Sequence, residues 1–214
     1  MFLNHTKINF SEFSFKKAMQ KTILLLIFSL LACSSSVEEP PKNYTTIHQE
    51  ALAFCKAKGF NQEFYFLLDF SVHSGKNRFY IYDFNTQKVV NQNLVTHGSC
   101  DVLAENPNKY KKATFSNANG SHCSSKGKYK IGKRDYSSWG IHVKYWLHGL
   151  EPTNTNAEKR VVVLHSWEAV SNEEIFPRYA PLSWGCPAVS DAFMKILDEK
   201  LKVVNQPVLL WIVE

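Results

Sequence analysis

The sequence is short of the residues and runs that mark several protein classes. Glycine and proline number only 9 and 8 among 214 residues, which excludes a collagen-like repeat. With 44% hydrophobic and 21% charged residues, the chain is not a disordered tail either. The main apolar run, TILLLIFSLL over residues 22–31, is only ten residues long. That is too short to span a bilayer comfortably, so a multi-span membrane protein is excluded. Positive charge is also scarce where it would count. Of the net +6, half falls in residues 1–32, where Lys7, Lys16, Lys17 and Lys21 face only Glu12. The rest of the chain therefore lacks the basic stripe that nucleic-acid binding needs. There are five cysteines, at 33, 55, 100, 123 and 186. An odd count excludes complete internal pairing, and the wide spacing excludes a dense disulfide scaffold. What is present is enough chain for one full domain with a sizeable core, or two small ones.

The N-terminal segment reads as an address. Lysines precede the apolar run, which gives the n-region and h-region of a secretory signal. The run ends in Leu30-Leu31-Ala32-Cys33, which resembles a bacterial lipobox. Small Ala32 suits a peptidase site, and the Cys33 thiol suits acyl attachment. A plain secretory signal with an incidental cysteine is the alternative. Translation starting at Met19 would omit residues 1–18. After Cys33, SSSVEEPPK is a small, polar, proline-containing tether. The expected organisation is a lipoprotein signal over 1–32, a tether over 33–44, a leading helix over 45–63 and a main domain over 64–214.

Within the body, Ile47, Ala51, Phe54, Cys55 and Lys58 recur at helical spacing before Gly59, predicting a short helix with Cys55 on its apolar stripe. The period then changes. Residues 64–70, 78–84 and 89–96 are rich in aromatic and β-branched residues and are separated by turn formers, which predicts antiparallel strands in hairpin order. Further strands are expected over 128–131, 142–147 and 206–213. The run VVVL over 161–164 suits a strand buried on both faces. Ser190 can cap a helix over 191–201 whose inward stripe is Phe193, Met194, Leu197 and Leu201. The fold class expected is mostly β with few helices.

Chemistry concentrates in residues 161–189. His165 ends the buried strand, and Cys186 lies in a Ser-Trp-Gly-Cys-Pro loop just before the capped helix. A free thiol titrates at about 8.5 and needs help to act as a nucleophile. A neighbouring imidazole can take its proton, and Gly185 lets backbone N–H groups converge on an oxyanion. Singly, a cysteine and a histidine are ordinary core residues. Together in this setting they are the parts of a Cys/His acyl-transfer site.

These residues resemble the L,D-transpeptidases of the YkuD type, which carry a His, a spacer, and then Ser/Thr-His-Gly-Cys. Here His165 is followed by 17 residues and then Ser183-Trp184-Gly185-Cys186, with Trp184 in place of the usual His. Further landmarks resemble the murein L,D-transpeptidase catalytic-domain branch over about residues 64–213. They include Asp69-Phe70-Ser71 with Ser74 and Arg78, His97-Gly98-Ser99, Phe115-Ser116-Asn117, and Gly120-Ser121. The run Ser124 to Tyr129, Gly149 to Asn154, Asn156-Ala157 and Arg160 complete the set.

The resemblance implies a YkuD-like fold of β-sandwich type and no cofactor or metal. It implies that Cys186 attacks the carbonyl before a terminal D-Ala of a tetrapeptide stem and that His165 moves the proton. The Ser166 carbonyl, standing where a Gly usually follows the His, would orient the imidazole. Backbone N–H groups near Gly185 and Cys186 would hold the oxyanion. Ser183, Trp184, His97 and Arg160 are candidates for substrate binding; for Arg160, as for Asn154 and Asn156, a loop-bracing role is the favoured alternative. The partners expected are peptidoglycan stem peptides and a membrane reached through lipid on Cys33. The location expected is a bacterial cell envelope, on the periplasmic face or outer membrane.

Two rival functions differ in class. Papain-like and NlpC-like cysteine peptidases place Cys before His, the reverse of the order here. A non-catalytic wall-binding lipoprotein would not need His165, Gly185 and Cys186. The remaining cysteines leave three options, in order: a Cys100–Cys123 disulfide, unpaired thiols, or a zinc set of His97, Cys100, His122 and Cys123.

Overall fold

The computed structural model describes residues 42–102 and 107–214. The signal expected over 1–32 and the tether expected over 33–44 as far as residue 41, with Cys33, lie outside the described residues. Residues Tyr44–Glu214 form one compact unit. Among the described residues, no helix is long and apolar enough to cross a membrane.

Helix α1, Thr45–Lys58, forms as its periodicity predicts and stops at Gly59, whose φ of 70° suits glycine. Ala51 and Cys55, one turn apart, are wholly buried. Burial pushes the Cys55 thiol up to about 12, so it is an inert core group. The helix is therefore packed into the same unit as the strands that follow it.

One eight-stranded sheet dominates. Its strands are β1 Phe64–Asp69, β2 Phe79–Asp83, β3 Lys88–Asn93, β4 Gly127–Tyr136, β5 Val143–Gly149, β6 Val163–Ser166, β7 Ala188–Val189 and β8 Leu209–Val213. Their order across the sheet is β3-β2-β1-β8-β4-β5-β6-β7. The β1-β2-β3 meander is antiparallel, as expected. The C-terminal strand β8 fills the gap between β1 and β4, parallel to the first and antiparallel to the second.

Strand β1 shows why the sheet needs cover on both sides. Phe64, Phe66 and Leu68 join the main core, while Tyr65 and Leu67 join a second cluster beneath α1 with Ala51, Cys55 and Leu209. Alternate residues point to opposite faces, so both faces of this strand are buried. Helix α2, Asp191–Lys202, closes the main core with Phe193, Met194, Leu197 and Leu201. Ser190 caps it by accepting the Phe193 N–H at 3.2 Å.

One expected strand starts later than the apolar run suggests. Val161 is exposed, has a φ of 57°, and donates its N–H to the Glu158 carbonyl at 3.0 Å. It ends a turn, and the strand proper begins at Val163. The correction matters because the Val161 carbonyl is thereby turned toward the Cys186 sulfur.

The disulfide option is the one found: Cys100 is bonded to Cys123. That removes the zinc set. Its two imidazoles are also occupied, His97 by Arg78 and Lys109, and His122 by Asp101.

Candidate active site

His165 is the third residue of β6, paired with Lys144 of β5 on one side and Ala188 of β7 on the other. The short parallel strand β7 holds the stretch just after Cys186 beside the end of β6. His165 and Cys186 thus line one cavity of about 380 Å³, with Trp139, Trp167, Leu182, Ser183, Trp184 and Ala188. It is walled mostly by indole and aliphatic groups, as ligand pockets commonly are.

The imidazole is fixed from behind. Its Nδ1 lies 2.9 Å from the Ser166 carbonyl oxygen, which can only accept. Nδ1 therefore carries the proton, and Nε2 keeps a lone pair. Ser166 is fully buried, and its Oγ accepts the Ile141 N–H at 2.9 Å, which ties the Trp139 loop to the end of β6. A glycine at this position would lack that tie.

The sulfur of Cys186 is half-enclosed by backbone. The Val163 N–H donates to it at 3.4 Å, and the thiol donates to the Val161 carbonyl at 3.6 Å. Burial pushes the thiol up, opposed by the Val163 amide and by the charges of Arg160 and Lys144. Burial pushes His165 down, opposed by the Ser166 carbonyl and assisted by Lys144. Burial thus favours the neutral form of each group, a thiol and an imidazole that line the same cavity.

The loop carrying Cys186 is templated by residues 96–99. Ser183 exchanges backbone bonds with this segment, donating to the His97 carbonyl at 2.9 Å and accepting from Ser99 at 2.8 Å. Thr96 Oγ1 donates to the Cys186 carbonyl at 3.1 Å and accepts the Ala188 N–H at 2.9 Å. Ser183 Oγ donates to the same Cys186 carbonyl at 2.6 Å and accepts the Gly185 N–H at 3.2 Å. The Gly185 N–H is thus already committed inside the loop. The Cys186 N–H has no partner among the described residues.

Three of the four expected substrate-binding residues need comment. Trp184 is among the residues lining the cavity, is 73% exposed and stacks on His122 with centroids 4.8 Å apart. Arg160 is a brace: it donates to the Ser116 carbonyl at 2.9 Å, to Ser125 Oγ at 3.0 Å and to the Cys123 carbonyl. His97 is 1% exposed and does not line the cavity. Its Nδ1 accepts from the buried Arg78 at 2.8 Å, and its Nε2–H donates to the Lys109 carbonyl at 2.7 Å. Sequence reasoning missed Trp139 and Trp167 in the cavity wall, Thr96 and Val163 bonded to Cys186, and the charge of Lys144 opposite His165. Only the adjacency of Thr96 to the His97-Gly98-Ser99 landmark could have flagged one of them.

A family model described as the L,D-transpeptidase catalytic domain, of the YkuD type, matches residues 38–210. The chain belongs to this family. Solved structures similar to this L,D-transpeptidase-family chain include three from bacteria. The protein Bd1075 of Bdellovibrio bacteriovorus is 14% identical, with a TM-score of 0.42; the match covers 72% of this chain and 49% of that one. An L,D-transpeptidase from Xylanimonas cellulosilytica is 11% identical, with a TM-score of 0.39, covering 75% and 68%. The helical cell shape determining protein Pgp2 of Campylobacter jejuni is 11% identical, with a TM-score of 0.41, covering 77% and 54%. The chain thus spans about half the length of two of these proteins. No curated protein matches the chain.

The buried His97 gives this transpeptidase-family fold an acid sensitivity. Burial first, then the Arg78 charge, push its pKa down to about 4, against the Lys109 carbonyl. A depressed folded-state pKa means that the folded form takes up fewer protons. Its contribution to stability is complete above about pH 6.5 and is lost as pH falls toward 4. The full window is worth on the order of 3 kcal/mol. Urea unfolding at pH 7 and pH 4.5 should show His97→Gln closing its stability gap to the natural protein as pH falls. A gap independent of pH would contradict this.

Proposed function

We propose that the chain is a peptidoglycan L,D-transpeptidase with Cys186 as nucleophile. The observation that carries this is the convergence of Cys186 and a His165 locked in one tautomer on a single apolar cavity. The thiol adds to the carbonyl before a terminal D-Ala while Nε2 of His165 takes its proton. The Cys186 N–H, unspent in the resting loop, donates to the oxyanion in this reading. When the tetrahedral intermediate collapses, the C–N bond breaks, the D-Ala amine leaves with the proton from His165, and a thioester remains. An amine of a second stem then attacks the thioester. His165 takes the amine proton and returns it to the thiolate, leaving a new amide and a free Cys186. The neutral resting pair suits this order of events, since the base is unprotonated before substrate arrives.

Incubation with a tetrapeptide-containing muropeptide, read by mass, tests the proposal. Cross-linked dimer with released D-Ala is the result expected. Tripeptide with D-Ala would instead mark hydrolysis, an L,D-carboxypeptidase. No turnover and no carbapenem adduct would leave a non-catalytic wall-binding protein.

The same proposal places the domain at a bacterial cell envelope, held by lipid on Cys33. Cys33→Ala should move the protein out of the membrane fraction and abolish fatty-acid labelling. Retention of a membrane-bound, unlabelled protein in both forms would end that part of the reading.

A further inference from the structure

Beside the imidazole stands a charge that the chemistry above does not use. Lys144 lies directly opposite His165 in the antiparallel β5/β6 register. Residues so paired project to the same face with Cβ atoms about 5 Å apart. That face is the open one. Val143, Tyr145 and Leu147 of β5 point into the main core, while Lys144 and Trp146 between them are half-exposed.

The ammonium has no ion-pair partner among the described residues. Asp135 is its cross-strand neighbour on β4. Its carboxylate accepts the Tyr136 N–H on Oδ1 at 2.8 Å and the Trp146 indole N–H on Oδ2 at 3.1 Å, and it feels the Lys144 charge without forming an ion pair with it. Lys144 Nζ rests instead over the Trp146 ring, 5.0 Å from its centroid. Its charge still reaches the site, where it favours the Cys186 thiolate and disfavours the His165 imidazolium.

The reaction geometry says what such a cation would meet. His165 must reach the nitrogen of the group that leaves. When that group is a terminal amino acid, its carboxylate oxygens lie about 3 Å from that nitrogen by ordinary bond lengths. Lys144 is not among the residues lining the cavity, but it stands on the same open face as His165, and from there its ammonium offers a cation to that carboxylate. We propose that Lys144 is the specificity residue of this site, binding the free α-carboxylate of the leaving residue and confining attack to chain ends that carry an acid. This rests on the transfer reaction proposed above.

The test separates recognition from turnover. Two tetrapeptide donors, one ending in D-Ala acid and one in D-Ala amide, are titrated by calorimetry into the Cys186→Ala protein and into Cys186→Ala carrying Lys144→Met or Lys144→Arg. The acid should bind roughly tenfold or more tighter than the amide when residue 144 is Lys or Arg. With Met the ratio should fall to about one, since no charge-assisted bond is left to lose. Equal binding of acid and amide to the Lys144 protein would overturn the proposal, as would a preference that survives Lys144→Met. Neither outcome depends on catalysis. Failure of the transfer reading shows separately, as absence of product from the protein with Cys186 intact.

Discussion

Cys186→Ala should reduce D-Ala release from a tetrapeptide donor to background, a loss of at least about 10⁴-fold. Among the described residues the sulfur is the only free thiol in the cavity; Cys55 is buried under α1, and Cys100 and Cys123 are bonded to each other. No neighbouring group is placed to substitute for it. His165→Ala should cost about 10²–10⁴-fold, the usual worth of a positioned general base, because the thiol is held protonated and retains some attack on its own. Residues acting as a unit are not additive, so the double variant should be no slower than Cys186→Ala alone. Intact mass should show a thioester adduct on the natural protein and none on Cys186→Ala. The pH profile carries the sign of the His165 shift. Burial holds its pKa below 6.5, so the acid limb of kcat/KM should fall below pH 6.5 and should vanish in His165→Ala. Full activity in Cys186→Ala would remove this residue from the chemistry altogether.

The parts of this site differ in how openly the sequence declares them. His165, Gly185 and Cys186 were legible because their residue types, order and spacing are themselves the chemical signal. The helices and the first two strands were legible because burial repeats at the period of the element, as in Ala51 with Cys55 or Phe64 with Phe66. Pairing is another matter. Nothing local in residues 209–213 says that this strand enters between β1 and β4, or that Lys144 faces His165. Register is a property of two distant segments at once. Strand β7 has two residues and so no period to detect. The VVVL run misplaced a strand end because hydrophobicity is blind to a left-handed φ at Val161. The role of His97 was misjudged for a related reason. A landmark histidine near the site looks the same in sequence whether its ring faces the cavity or lies beneath the loop.

Gly185→Ala should be the most damaging conservative change near Cys186, for a reason outside the loop itself. At a φ of 106° a Cβ is strained wherever it points, and here it would lie 2.6 Å from the Cys123 carbonyl oxygen and 3.2 Å from the Arg160 guanidinium. Neither neighbour is free to yield. Cys123 is tied to Cys100 by the disulfide, and its carbonyl accepts from Arg160, which is anchored in turn on Ser116 and Ser125. The loop must therefore move, carrying the Cys186 sulfur away from the Val163 amide and its N–H away from the oxyanion position. Strain and overpacking together should cost about 2–4 kcal/mol of stability. A displacement of the order of 1 Å should cost about 10²-fold in turnover. Gly59→Ala supplies the control. Its φ is 70°, but nothing lies within 4 Å of the added carbon and it is remote from the cavity. It should cost about 1 kcal/mol and leave turnover unchanged. Thermal unfolding and initial rates on both variants separate strain from buttressing. Should Gly185→Ala lose no more than Gly59→Ala in both measurements, the wall behind Cys186 yields, and the disulfide and Arg160 do not hold the nucleophile in place.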